Sequence, residues 1–298
     1  MLSAVERKIE QFIAELDDRE ISALYGRLPA GKRLRARLIL EIAGGGLRSV
    51  KTAAVVEMIH AASLLHDDVI DDAFERRGRP SINALYGNKT SIMFGDILYS
   101  KGFYELNEID KEVSRIVSAA VTRLSIGEYR DVLLSKEFNT DKDAYLLMIY
   151  QKTASLIEAS AEAAAVLAGK PGKIYAEYGR NIGIAFQMID DILDITQTSE
   201  TLGKPSMHDF EEGKTTLPYI YLFEEMSEPE RGRLRSLHGK RATEEDREWI
   251  KRRMKEFGVI ERAYAEAARL VEDASVAMKK MNETNLLAIA EKIIERDH

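Results

Sequence analysis

The chain has 298 residues, of which 45% are hydrophobic and 31% charged, with a net charge of −7 and no cysteine. That composition supports a sizeable buried core. The acidic balance argues against a nucleic-acid partner, and the missing cysteines exclude disulfides and thiolate-bound metals.

The opening stretch, MLSAVERKIEQFIAELDDRE, reads as a charged amphipathic helix. It lacks an apolar core followed by a cleavage site, so no signal peptide is expected. No run approaches the ~18 apolar residues of a membrane span, and a cytoplasmic protein is the expectation. Turn signals fall near 28–31, 44–46, 78–80, 139–141, 169–172, 202–205 and 228–231. Between them apolar residues recur at helical spacing. Over 50–72, Ala53, Val56, Ile59, Ser63 and Asp67 form a stripe at steps of three and four. Segment 174–195, rich in Ile, Ala, Gly and Met, is expected to be buried on most sides, and 244–298 reads as charged amphipathic helices. Convincing period-2 strands, solenoid-type repeats and low-complexity linkers are all missing. Residues 1–298 are therefore expected to form one all-α domain.

The stretch SLLHDDVIDDAFERRGRPS places four aspartates in six residues and two arginines close behind. On a helix, Asp67 would stack on Asp71 and Asp68 on Asp72, and stacked like charges call for a cation. Oxygen ligands suit Mg²⁺, which takes one or two carboxylates and completes its shell with water and phosphate. A solvated acidic helix end is the competing reading. Against it, FQMIDDILDI repeats the Asp-Asp-x-x-Asp pattern at Asp190, Asp191 and Asp194, again inside an apolar helix. Two such helices facing each other would wall a cavity with carboxylates. A diphosphate carrying Mg²⁺ would suit it.

Basic residues sit on or beside the breaks: Lys32, Arg33 and Arg35 in GKRLR, then Arg76 and Arg77, Lys152 in QKTASL, Lys204 in LGKP and Lys214 in EGKTTLP. Singly each would be an ordinary surface charge. Collectively, beside glycine turns and acidic helices, they favour anion binding. A P-loop is absent. His60 lies seven residues before Asp67, two turns along the same face, whereas His66 lies off that face.

Taken together, these motifs resemble the trans-isoprenyl diphosphate synthases, the polyprenyl synthetase family. The similarity runs from Gly31 to about Pro218 and includes Gly-Lys-Arg-Leu-Arg, both Asp-rich helices, Arg-Arg-Gly, Lys-Thr, Phe-Gln and Gly-Lys-Thr. It implies an all-α bundle of helices around a deep central cavity, as a homodimer. It also implies Mg²⁺, about three ions per active site, held by Asp67, Asp71 and Asp190, with Asp68, Asp191 and Asp194 as supporting carboxylates. By the same resemblance Arg76, Lys152 and Lys204 hold an allylic diphosphate, and Lys214 helps to close the site. Lys32, Arg35, His60 and Arg77 hold isopentenyl diphosphate. Lys152, Thr153 and Gln187 lie near the developing carbocation. Where the family usually has proline after Gly-Lys-Arg-Leu-Arg, this chain has Ala36.

Ser63 and Ile59 lie one and two turns below Asp67, at ~5.4 Å per turn, with Ala62 beside them. Related short-chain enzymes place a bulky aromatic near these positions. Small residues here imply a deeper tunnel and a medium or long product, about octaprenyl, of the quinone side-chain class. Met93, Phe94 and segment 121–132 are candidates for the tunnel floor. A shorter-chain geranylgeranyl or farnesyl diphosphate synthase is the alternative, with peripheral membrane association for product release in either case. A terpene cyclase would leave the isopentenyl set without a purpose. A regulatory subunit of a heteromeric synthase, or a structural cation-binding protein, would not need both acidic motifs intact.

Overall fold

A computed structural model describes residues 1–197 and 207–295. The described chain is helical except for one two-stranded hairpin and the turns, and it divides into two compact units. The first holds residues 1–122 and 156–179, the second residues 123–155 and 180–298.

In the first unit α1 (Leu2–Ala14) buries Val5, Ile9, Phe12 and Ile13, the i, i+4, i+7, i+8 stripe expected of its sequence, against α4. Asp18 caps α2 (Arg19–Tyr25) by accepting from the amides of Glu20 and Ile21. Helix α3 (Leu34–Ala43) follows, then α4 (Leu47–Ile70), whose residues from Thr52 to Ile59 are all buried. Such all-round burial marks a central helix, and α1, α3, α5 (Ile82–Tyr86) and α6 (Asn88–Leu106) pack around it. Gly102 lets α6 approach the Ile59 side chain, and Gly95 lets it approach the His66 ring, where an added Cβ would lie 2.4 Å from Nε2. The start of α7 (Lys111–Leu134), most of α9 (Ser155–Leu167) and the start of α10 (Gly172–Thr196) complete this unit.

Helix α4 ends differently from the reading that stacked Asp68 on Asp72. Asp71 caps the helix, Asp72 takes a left-handed φ of 48°, and the Ala73 amide returns to the Asp68 carbonyl at 2.9 Å. This Schellman-type closure turns Asp72 off the helix, and aspartate tolerates that conformation better than most residues. The chain then forms strand β1 (Glu75–Arg76), antiparallel to β2 (Arg79–Pro80). Arg77 and Gly78 fill the two-residue turn with φ of 54° and 69°, the positive pair that tight hairpins need.

In the second unit Asp141 caps α8 (Lys142–Ile149), which runs into a π-turn, Tyr150–Ala154. The later part of α10, α11 (His208–Glu211), α12 (Leu217–Glu225), α13 (Glu228–Leu237), α14 (Glu244–Phe257), α15 (Val259–Lys280) and α16 (Thr284–Ile294) follow. Phe210 stacks on Tyr219, centroids 4.4 Å apart, in a core that also takes in Tyr145 and Tyr221. The turn signal at 228–231 belongs to a helix start. Ser227 and Glu230 form a reciprocal capping box, with Pro229 in the first turn of α13. The break at 202–205 lies outside the described residues. No helix among the described residues is long and apolar enough to cross a membrane.

Candidate active site

In the first unit the loop entering α3 and the hairpin after α4 bring basic groups together. Arg33 caps α3 in a left-handed conformation, φ 54°. Arg77 donates from Nη1 to the Ala30 carbonyl at 2.8 Å and lies so close to Gly31 that an added Cβ would meet that nitrogen at 2.9 Å. Glu57, buried on α4, organises the loop. It accepts the Ala36 amide at 3.0 Å and Arg33 Nη1 at 3.1 Å, while Arg33 also pairs with Glu6. Proline at position 36 would have no amide to give, so alanine here keeps the turn and adds a tether.

Burial pushes the Arg35 guanidinium down to about 10, with Arg77 adding to the fall and Glu57 opposing it. Arg35 Nε is buried without a hydrogen-bond partner. Desolvation pushes the His60 imidazole well below its ordinary 6.5, and Arg35, Arg77, Arg76 and Arg33 all push the same way. Arg35, His60 and Arg77 thus share one positive field, which favours an incoming anion.

Asp67 and Asp71 are half-buried at the end of α4, and the Asp71 amide bonds the Asp67 carbonyl at 2.8 Å. Asp68 is buried. Arg76 Nε donates to its Oδ1 at 2.6 Å, and Nη2 lies 2.6 Å from the same oxygen. Burial raises the Asp68 carboxyl, an effect that Arg76 opposes. Asp68 therefore anchors Arg76, and Asp67 with Asp71 offers the pair suited to a cation. No cluster of three or more metal-ligating side chains occurs among the described residues. Two half-buried carboxylates with a shell completed by water and phosphate match what Mg²⁺ accepts.

In the second unit the π-turn carries Lys152 and Thr153. Two glycines make room for it. A Cβ at Gly127 would lie 2.2 Å from the Lys152 amide nitrogen, and one at Gly183 would lie 2.7 Å from Ala154 Cα. Lys152 Nζ pairs with Asp131 at 2.5 Å and Glu128 at 2.9 Å. Thr153 Oγ1 donates to Gln187 Oε1 at 2.8 Å, Gln187 Nε2 donates to Asp191 Oδ1 at 2.9 Å, and the Tyr145 hydroxyl donates to Asp191 Oδ2 at 2.6 Å. Burial, then Asp209, pushes the Asp191 carboxyl well up, against the pull of Tyr145 and Gln187. Asp190 is half-buried on α10, and the buried Asp194 accepts the Asp209 amide at 3.1 Å. Lys214 pairs with Glu212 at 2.9 Å. Burial raises Glu212, yet His208 and Lys214 together hold it down at about 2. Lys204 lies outside the described residues.

A polyprenyl synthetase family model matches residues 20–255. The chain belongs to this family. Octaprenyl pyrophosphate synthase from Helicobacter pylori superposes with a TM-score of 0.95 at 42% identity, over 99% of this chain and 98% of that one. The all-α isoprenoid synthase fold is thereby established. The short chain isoprenyl diphosphate synthase of Methanothermobacter thermautotrophicus is 36% identical over 287 residues, 90% of this chain and 87% of that protein. Solanesyl-diphosphate synthase 1 of Oryza sativa subsp. japonica is 46% identical over 182 residues, which span 60% of this chain but only 42% of the rice protein.

Glu57, Glu128, Asp131 and Tyr145, which the structure sets against Arg33, Lys152 and Asp191, were not singled out from the sequence. Glu128 and Asp131 stand three apart in GEYRD, a spacing that puts both on one helical face. Ile59 and Ala62 are fully buried, and the buried Ser63 donates its hydroxyl to the His60 carbonyl at 2.9 Å. Of the tunnel-floor candidates Phe94 is buried, while Met93 is exposed on the first unit.

Proposed function

We propose that this protein condenses isopentenyl diphosphate with an allylic diphosphate, repeatedly, to give an all-trans polyprenyl diphosphate of about octaprenyl length. The observation that carries the reading is the cationic pair Arg35 and Arg77 beside His60, with Arg35 Nε buried and unpartnered. Such a donor calls for an acceptor that the protein itself does not provide. A diphosphate provides several oxygens.

In this reading Lys32, Arg35, His60 and Arg77 seat isopentenyl diphosphate. Arg76, Lys152, Lys204 and Lys214 seat the allylic diphosphate and share the charge that builds on it as it leaves. Asp67, Asp71 and Asp190 would hold Mg²⁺, which would supply further electrostatic stabilisation to the leaving diphosphate. Thr153 and Gln187 direct oxygen dipoles at the allylic cation left when the C–O bond to diphosphate breaks. The double bond of isopentenyl diphosphate attacks it to form the new C–C bond, and the resulting cation loses a proton to the departed diphosphate. Apolar side chains around the acidic motifs exclude water that would quench the cation. The family match runs through both units, which supports one functional domain over 1–298. Octaprenyl length is supported by the full-length likeness to the Helicobacter pylori enzyme and by the small residues Ala62 and Ser63. Exposed Phe74, Leu85, Tyr86, Ile92 and Met93 on the first unit support a homodimer. A cytoplasmic enzyme that releases product at a membrane surface completes the reading.

The test supplies the purified chain with farnesyl diphosphate, labelled isopentenyl diphosphate and Mg²⁺, and sizes the products by reversed-phase chromatography. An octaprenyl-class product is expected. A product no longer than geranylgeranyl would replace it with the short-chain reading, and no incorporation would overturn the function.

A further inference from the structure

Tyr145, buried on α8, begins a chain of side-chain hydrogen bonds that ends at Thr153. The Tyr145 hydroxyl donates to Asp191 Oδ2 at 2.6 Å. Asp191 Oδ1 accepts the Gln187 amide from one turn back on α10, at 2.9 Å. With its NH₂ group committed to Asp191, Gln187 turns Oε1 to Thr153 and takes the hydroxyl proton at 2.8 Å. The donors run inward from Tyr145 at one end and Thr153 at the other and converge on Asp191.

We propose that Tyr145 is a positioning residue for prenyl transfer: through Asp191 and Gln187 it fixes the Thr153 hydroxyl so that oxygen lone pairs, and not the proton, face the allylic cation. The proposal rests on the reading that puts Thr153 and Gln187 at the reacting carbon. A freely rotating hydroxyl would spend part of its time presenting a positive end to a positive centre. Locking it removes that reorganisation from the chemical step.

Tyr145→Phe keeps the buried ring and removes one hydroxyl. Its kcat is expected to fall about tenfold, in line with the cost of an unsatisfied buried polar group, with both KM values within about twofold of wild type. In a Gln187→Ala background the same change should alter kcat by less than about twofold, because the link to Thr153 is already cut. Unchanged kcat in Tyr145→Phe, or an equal loss in both backgrounds, overturns the proposal. Gln187→Glu reads the chain without touching Tyr145. It sets an oxygen against Asp191 in place of the donor, so kcat should fall at least as far as in Gln187→Ala, and a rate near wild type overturns the proposal. Wild-type kcat in Gln187→Ala would instead remove Gln187 from the reacting site, and the proposal with it.

Discussion

Gly127→Ala isolates what the π-turn contributes. The new Cβ would lie 2.2 Å from the Lys152 nitrogen, 2.6 Å from the Gln151 carbonyl carbon and 2.7 Å from Lys152 Cα. All three are backbone atoms, so no rotamer change relieves the clash. Ordinary contact begins at 3.4 Å, so α7 and the turn must part by about 1 Å. Overpacking costs about 1–3 kcal/mol, and a backbone-to-backbone clash belongs at the upper end. Alanine returns about 1 kcal/mol of helix propensity over glycine. The net loss is about 2 kcal/mol, which at about 2–4 °C per kcal/mol lowers Tm by about 4–8 °C. Activity should suffer more than stability, since Lys152 and Thr153 ride on the displaced turn and a 1 Å misplacement can cost about 10²-fold. Differential scanning fluorimetry and isopentenyl incorporation measure the two effects. Gly232→Ala on α13, where a Cβ meets nothing within 4 Å, serves as the control and should be neutral or slightly stabilising. Wild-type Tm and rate in Gly127→Ala would refute the reasoning.

Asp67→Ala and Asp190→Ala should each lower turnover by orders of magnitude while the circular-dichroism melt stays near wild type, and retained activity would remove that residue from the site. Ser63→Phe should shorten the product with condensation intact, and chromatography showing wild-type chain length at a normal rate would count against the tunnel. Glu57→Gln should raise KM for isopentenyl diphosphate and leave KM for the allylic substrate unchanged, because Arg33 keeps Glu6 but loses its charged tie to α4; steady-state kinetics with each substrate varied in turn would show an equal rise in both if the loop assignment were wrong. His60 has a folded pKa below its ordinary 6.5, so below about pH 6.5 the unfolded chain binds more protons than the native one. The stability His60 contributes is therefore complete above that pH and lost as pH falls through the lower folded value. Thermal melts between pH 7.5 and 5 should show a shallower decline for His60→Gln than for wild type, and parallel curves would contradict the assignment.

Features that depend on neighbours three or four residues apart are legible in the sequence. Both acidic motifs, their apolar helices and the stripe of α1 follow from such spacing. The fate of Asp72 is hidden because a left-handed closure can end a helix inside an acidic run without glycine. Glu57 looks like an ordinary helical glutamate, since nothing local reveals that α3 will bring Arg33 and the Ala36 amide to it across more than twenty residues of chain. Tyr145 meets Asp191 from 46 positions away, and the π-turn has no periodic signature. Gly127 and Gly183 are the local signs of a close approach, but a glycine within a helix can equally mark a helix end or a packing contact with no bearing on a site.

Buried charge is handled in two ways, and the contrast bears on how the chemistry is prepared. Some buried carboxylates have local company: Asp68 pairs with Arg76 in the first unit, and in the second Asp131 and Glu128 face Lys152 while Asp191 receives donors from Tyr145 and Gln187. Those groups are held by partners within the protein, which suits parts that must already be aimed when charge develops. In the first unit Arg35 and Arg77 repel one another and keep His60 uncharged, and Glu57, the carboxylate among them, is tied to Arg33 and Ala36. That excess of positive charge favours an anion. The cost accepted there becomes affinity when diphosphate binds, so stability measured with and without diphosphate should differ most in variants that keep Arg35 and Arg77 and least in those that neutralise them.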